Sequence, residues 1–202
     1  LGAPTAIMCI LSYMLSDIPG AFNKWGATIL AIFPLVMMFI ITSVATLRER
    51  TSGTLERLMS LPVSKLDFSM SYAISFSFLA ILQVTFLSFV CFMLLGLETK
   101  GSIIMIILIS TFNGLAGTGF GLASSSLAKT EFQAVQFMPI TLFPQILLCG
   151  LIVPRDFLPK GLKEISNLLP LSYAIDAVNE ATVQTAFTYE YISSISTLGG
   201  FT

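Results

Sequence analysis

Four long runs without a charged side chain limit what this chain can fold into more than any other feature. They are Trp25–Leu47 (23 residues), Phe68–Leu97 (30), Gly101–Ala128 (28) and Phe132–Pro154 (23). A helix needs about 20 mainly apolar residues to span a membrane, so each run is long enough. Soluble proteins usually carry about a quarter charged residues, whereas this chain has 10%. We therefore expect an all-α, polytopic membrane protein.

The two ends of the chain look like parts of further spans. Residues 1–16 are uncharged but too short to span a membrane alone, and residues 191–202 form another uncharged run. Together with the four complete runs, they predict a six-helix membrane domain whose first and last spans are truncated here. A signal peptide is the alternative for residues 1–16, but the basic segment typical of such peptides is not found there.

Charge is concentrated between the second and third spans, in the loop of residues 48–67. Four of the ten Lys and Arg residues lie there: Arg48, Arg50, Arg57 and Lys65. Because basic loops close to membrane edges stay in the cytoplasm, we assign this loop to the inside. Alternation then places Lys129–Glu131 inside, and Glu98–Lys100 and residues 155–190 outside. The tally over all loops is five basic residues against five, so the assignment depends on the density of this one loop.

Within this loop, the sequence predicts a short helix. Gly53 can adopt backbone angles that other residues avoid, Thr54 can cap a helix over Leu55–Leu61, and Pro62 would end it. Its apolar side would consist of Leu55, Leu58 and Met59. A helix lying across a turn between two spans would give a partner a rigid contact. The alternative is a solvated linker that only reverses the chain direction.

Small residues form a stripe on the fourth span. Gly117 and Gly121 are four residues apart, and Gly114 adds to the same face. In a membrane such residues let two helix backbones approach closely, so we expect this face to pack against another helix. A flexible point that lets the bundle rearrange is the alternative.

The outer segment, residues 155–190, has a helical pattern of its own. Leu158, Leu162, Ile165 and Leu169 recur at helical spacing, which predicts an amphipathic helix at the outer interface or a re-entrant segment. A second short helix is expected from Ser172 to about Ala181. It carries Asp176 and Glu180 four residues apart. Such a pair can perform acid–base chemistry, but two solvated acids are the commoner arrangement.

Several kinds of chemistry find no support in the sequence. The chain has no histidine and three scattered cysteines (Cys9, Cys91 and Cys149), which argues against a metal cluster or a disulfide framework. There is no phosphate-binding glycine loop, and basic residues are too few for nucleic acid. The four complete runs also carry no acidic or basic side chain, unlike proton-coupled carriers. If this protein moves something against a gradient, the energy would therefore come from a partner, and the charged loop is where that partner would bind.

Three segments in order resemble the type-2 ABC exporter membrane subunits, the permeases of the daunorubicin-resistance kind. They are LRERTSGTLERLMSLPVSKLDF after the second span, LAKTEFQA between the fourth and fifth, and GLIVPRDFLPKGLKEISNLLPLSYAIDAVNEA before the last. The resemblance covers Phe22 to Ala181. It implies a dimeric six-helix membrane domain that works with two cytoplasmic ATPase subunits.

The resemblance also implies roles for particular residues. Leu55, Leu58 and Met59 would dock into a groove on the ATPase, and Arg48, Arg50 and Arg57 would pair with acids there. The positions that match the ATPase-coupling element are Arg48, Glu49, Arg50, Gly53, Thr54, Leu55, Glu56, Arg57, Leu58 and Met59. The positions that match the outer segment, which caps the pathway, are Pro154, Leu158, Pro159, Pro170, Leu171, Tyr173 and Asp176.

By this resemblance we expect a permease subunit of an ATP-driven exporter in the plasma membrane, of the bacterial cytoplasmic-membrane kind, and not an enzyme. It would move an amphipathic drug, lipid or natural product outward by alternating access. Its partners would be an ABC ATPase, which holds ATP and Mg²⁺, a second permease copy and the lipid bilayer; this chain would bind no cofactor, metal or nucleic acid. The alternatives are a non-transporting sensor or immunity module and a secondary carrier, which the uncharged spans disfavour.

Overall fold

The structure, a computed structural model, describes residues 2–18, 21–52, 65–99 and 102–183. These residues form helices and connecting turns, with no strand among them. The elements in chain order are α1 (Gly2–Met14), α2 (Ala21–Thr51), α3 (Lys65–Phe89) with a π-helical turn (Val90–Leu94), α4 (Ile103–Leu127), α5 (Glu131–Leu148), a 3-10 turn (Arg155–Phe157), α6 (Lys160–Ser166) and α7 (Pro170–Val183). The expected all-α fold is confirmed.

Three helices in the described part of the chain are long and apolar enough to cross a membrane: Ala21–Thr51, Met70–Leu94 and Ile103–Leu127. The fifth predicted span, 132–154, is helical only as α5, Glu131–Leu148, and is not one of these three. At a rise of about 1.5 Å per residue α5 is about 27 Å long, close to the thickness of the hydrocarbon layer. The chain turns away after Cys149, where Gly150 has a φ of +88°.

The helices alternate in direction, so α2 and α4 end on the same side on which α5 begins. The largest interface among the described helices joins α2 to α4. At the opposite end, α7 returns into the bundle and packs on α2 and α4. Its buried residues Leu171, Ala174 and Ile175 join one apolar core with Leu30 of α2 and Ile106 of α4. The second predicted short helix, from Ser172 to about Ala181, lies within α7.

Large apolar side chains remain exposed on the other faces. On α3 they include Ile74, Phe78 and Phe86, and on α5 they include Ile140 and Phe143. Such faces are typical of a membrane protein, in which they meet lipid or a second copy.

Candidate functional site

The expected coupling residues begin in the last turn of α2. Arg48, Glu49 and Arg50 belong to this helix, which ends at Thr51. The hydroxyl of Thr51 donates to the carbonyl of Leu47 at 3.0 Å, a hydrogen bond within the last turn of α2. Residues 53–59, which include the other seven expected coupling positions, lie outside the described residues. Their role stays a prediction.

Arg48 reaches across to the loop between α4 and α5. Its Nε donates to Oε1 of Glu131 at 2.7 Å, and its Nη2 donates to Oε2 at 2.9 Å. Such a bidentate ion pair fixes the orientation of the two side chains as well as the distance between them. Glu131 is the first residue of α5, where the positive end of the helix dipole favours a carboxylate. The hydrogen bond from Arg48 lowers the pKa of the Glu131 carboxyl below its usual value, so the pair is ionised at neutral pH.

Arg50, half a turn further along α2, binds the end of α4. Its Nη1 donates to the carbonyl of Ser126 at 3.1 Å, and its Nη2 donates to that of Ala128 at 2.6 Å. Carbonyls at the end of a helix lack intrahelical partners, and the helix dipole is negative there. A guanidinium group satisfies both needs. Arg48 and Arg50 therefore bind the beginning of one helix and the end of another.

The turn between α4 and α5 is held by its own hydrogen bonds. The hydroxyl of Thr130 accepts from the backbone N–H of Gln133 at 3.2 Å, and Oε1 of Gln133 accepts from the N–H of Lys129 at 2.9 Å. These reciprocal bonds resemble a capping box, which fixes the first turn of a helix. The short connection is therefore a defined structure, to which both arginines attach.

A small apolar cluster lies below these charges. Leu47 of α2, Ala128 of the turn and Ala134 of α5 are buried together, with Phe137 packed against them.

We call Arg48, Arg50, Glu131 and the carbonyls of Ser126 and Ala128 the charged clasp. The clasp and this cluster join the same three helix ends.

The glycine stripe of α4 lies directly on α2. A Cβ built on Gly117 would be 2.4 Å from the carbonyl oxygen of Leu35, and one on Gly121 would be 2.7 Å from that of Phe39. At Gly114 it would meet Cβ of Pro34 at 3.2 Å. Since real Cβ atoms do not approach backbone so closely, only glycine fits at positions 117 and 121. The structure thus places all three glycines at a helix–helix contact.

Buried polar side chains between the described helices are uncharged. Asn113, fully buried, donates from Nδ2 to the carbonyl of Ala31 at 2.8 Å. Gln83 and Gln145 are also buried. No group of three or more His, Cys, Asp or Glu side chains suited to a metal ion occurs among the residues searched. The fully buried polar side chains among the described residues thus offer hydrogen-bonding groups, and none of them is acidic or basic.

At the opposite end of the bundle, Arg155 organises the segment between α5 and α7. Its guanidinium donates to Asp176 of α7 and to the side-chain oxygen of Asn167, and it lies 5.9 Å from the centre of the Tyr173 ring. The hydroxyl of Tyr173 donates to the carbonyl of Asn167 at 2.7 Å. Because only 16% of the Arg155 side chain is exposed, its pairing with Asp176 is partly shielded from water. Asp176 is therefore bound in an ion pair and is more than a solvated acid.

The expected cap residues occupy defined positions in this segment. Pro154 precedes the 3-10 turn, Leu158 follows it, and Pro159 precedes α6. Pro170 begins α7, and Leu171 is buried in the apolar core that α7 shares with α2 and α4. Their sequence order therefore corresponds to successive bends that bring α7 back into the bundle.

The family comparison agrees with this arrangement. A family model described as ABC-2 type transporter matches residues 1–182. The chain belongs to the ABC-2 type transporter family.

Curated relatives of this ABC-2 protein come from bacteria and from a slime mould. The probable multidrug ABC transporter permease YbhS of Escherichia coli is 28% identical over 162 residues, which cover 80% of the chain and 41% of that protein. YbhR of the same organism, similarly named, is 26% identical over 170 residues, or 83% and 46%. The linearmycin resistance permease protein LnrN of Bacillus subtilis is 26% identical over 146 residues, or 72% and 38%. The chain thus spans less than half the length of these relatives. No solved structure gave a significant match.

Sequence reasoning about this ABC-2 protein missed several residues of these two ends. Glu131 and Arg155 were counted only as loop charges, and Asn167 was not considered. One signal was available, since Thr130 followed three residues later by Gln133 is the pattern of a helix start. The partners of Arg48 and Arg50 carry no local signal, because they lie 76 to 83 positions further along the chain.

Proposed function

We propose that this chain is the membrane-spanning part of a permease in an ATP-driven exporter. The exporter would move an amphipathic substrate, such as a drug, lipid or natural product, outward across the plasma membrane. In a bacterium this is the cytoplasmic membrane. The family match over residues 1–182 supports the transporter class. The printed names of the relatives, which include two probable multidrug permeases and one linearmycin resistance permease, support this substrate class.

The distribution of charge carries the proposal. Every buried polar side chain in the described part of the chain is uncharged, whereas charges that bind other elements lie at the two ends of the bundle. Carriers driven by protons or ions place ionisable groups within the membrane. A bundle without such groups needs another energy source, and a cytoplasmic ATPase that holds ATP and Mg²⁺ would supply it through the loop after α2.

Two copies of the permease would face each other across the substrate pathway. Closure of the ATPase pair would move the inner ends of the helices, and the segment around α6 and α7 would control the outer exit. The exposed apolar faces of α3 and α5 give surface both for lipid and for a second copy.

The first experiment purifies the full-length permease from its native membrane and identifies associated proteins. We expect an ABC ATPase to co-purify. Inside-out vesicles that contain the complex should then accumulate the dye Hoechst 33342 with ATP. Vanadate should stop this uptake, and a protonophore should leave it unchanged.

The double variant E56A/R57A tests the predicted coupling loop in the same vesicles. Uptake should fall because the loop carries the proposed ATPase contact. Uptake abolished by the protonophore would indicate a secondary carrier. A bound ATPase without any dye uptake would favour the sensor or immunity module, and absence of an ATPase from the wild-type preparation would refute the proposal.

A further inference from the structure

We propose that the charged clasp makes the inner ends of α2, α4 and α5 a single mechanical unit, so that a push on the loop after α2 also moves α4 and α5. This inference rests on the proposed function, because the push would come from the ATPase. It assigns Arg48, Arg50 and Glu131 as positioning residues for energy coupling within the permease.

The contacts of the clasp meet the requirements for such a unit. Arg48 holds the first residue of α5 with two hydrogen bonds, and Arg50 holds two carbonyls at the end of α4. The last turn of α2 thus binds both ends of the connection between α4 and α5. The capping bonds of Thr130 and Gln133 keep the loop itself from bending between these points.

The packing below the clasp restricts relative motion further. Along α2, the backbone at Leu35 and Phe39 lies against Gly117 and Gly121 of α4, without side chains between them. Sliding of α2 along α4 would drive one backbone into the other. α5 packs on α2 more extensively than on α4. The clasp, with the apolar cluster beside it, therefore joins the ends of all three helices.

This arrangement changes the role that the family resemblance implies for two arginines. Arg48 and Arg50 would have paired with acids of the ATPase, but in the structure both guanidinium groups are bound within the chain. Contact with the ATPase then falls to other residues of the loop, such as Glu56 and Arg57. The two sets can be separated by experiment, because losing a docking contact removes the ATPase, whereas losing the clasp leaves it bound.

The test uses the full-length permease with its co-purified ATPase in vesicles. For R48E, E131R and the charge swap R48E/E131R, three quantities are measured: ATPase bound, ATP hydrolysed, and Hoechst 33342 transported per ATP. We expect both single variants to retain the ATPase and to hydrolyse ATP. Transport per ATP should fall about five-fold or more, the usual scale of coupling between two sites. The charge swap should recover part of the lost transport, because the exposed pair can form again, although both exchanged charges then lie at the less favourable helix ends.

Two further sets of variants control for folding and for charge. K129Q changes the charge of the same loop without removing a clasp contact, and should behave like wild type. R48K and E131Q are milder, and each should fall between wild type and the charge reversal. Thermal stability of each purified variant shows whether it folds.

A crosslink tests whether the clasp stays closed through the cycle. In a permease whose native cysteines are all replaced by serine, R48C/E131C should lose transport per ATP, and joining the two new cysteines with a bismaleimide should restore it. Turnover that stops on crosslinking would mean that the clasp must open.

The inference is overturned by any of four results. The first is turnover that stops when R48C/E131C is crosslinked, and the second is wild-type coupling in both single variants. The third is a charge swap that recovers no transport, and the fourth is loss of the ATPase from R48E but not from E131R. Failure of the proposed function would instead be visible in the wild-type complex, as a missing ATPase or missing dye transport, and would remove the basis of this inference as well.

Discussion

Replacing Gly117 with alanine should separate α2 from α4. The added Cβ would lie 2.4 Å from the carbonyl oxygen, 2.8 Å from Cα and 2.9 Å from the carbonyl carbon of Leu35. All three are backbone atoms, so no side-chain rotation can make room. The two helices would have to move apart by about 1 Å to reach an ordinary van der Waals distance.

Such a separation has a cost along the whole interface. Crowding by one methyl group in a well-packed interior usually costs about 1–3 kcal/mol. The movement would also lengthen the Asn113–Ala31 hydrogen bond, now 2.8 Å, and loosen the neighbouring contact at Gly121. We therefore expect a loss of about 2 kcal/mol, which corresponds to a fall in melting temperature of about 4 °C or more.

The assay is thermal unfolding of the detergent-solubilised full-length permease with a thiol-reactive fluorescent dye. With the exposed Cys9 replaced by serine, the buried Cys91 and Cys149 report the loss of packing. The matched control is G119A on the same helix, because a Cβ there meets nothing within 4 Å. Since alanine is the better helix former by about 1 kcal/mol in water, the control should be neutral or stabilising.

Equal melting temperatures for G117A and G119A would refute this reasoning. The effect, if any, would then follow from the loss of a glycine and not from the contact with Leu35.

Three further predictions concern the two ends of the bundle. R155A should destabilise the purified permease by about 2 kcal/mol, because it leaves Asp176 partly buried without its cation, and R155A/D176A should recover part of this loss in the same melting assay. T130A should cost about 1 kcal/mol through the lost cap of α5, again measured by melting temperature. Because Arg48 lowers the pKa of Glu131, any stability from the pair is complete above the ordinary pKa of glutamate and is lost as pH falls through the lowered value. The melting difference between wild type and E131Q should thus persist from neutral pH to the ordinary titration range of glutamate and vanish below it.

The helices could be predicted from the sequence because each depends on local composition. The uncharged runs around α2, α3 and α4 correspond to the three span candidates, since a membrane requires a continuous apolar segment with internal backbone hydrogen bonds. The fifth run was read as extending to Pro154, but α5 ends at Leu148. Apolarity alone does not distinguish the helix from the turn at Gly150, which is equally apolar.

The two polar ends could be predicted only in part. Arg48 and Asp176 were identified as important positions, but their partners Glu131 and Arg155 were not. An exposed arginine has the same local pattern whether it binds its own chain or another protein. Which of these occurs depends on where distant loops lie after folding.

The uncharged runs of the sequence by themselves therefore determined that this chain forms membrane helices, because the bilayer sets the same requirement for every spanning segment. The glycine stripe was also visible in the sequence, but its partner was not. Only the tertiary structure decided that this stripe lies on Leu35 and Phe39, that α7 re-enters the bundle, and that Arg48 binds Glu131. Contacts between residues that are 83 positions apart depend on how the helices pack together, and no local property of either residue specifies them.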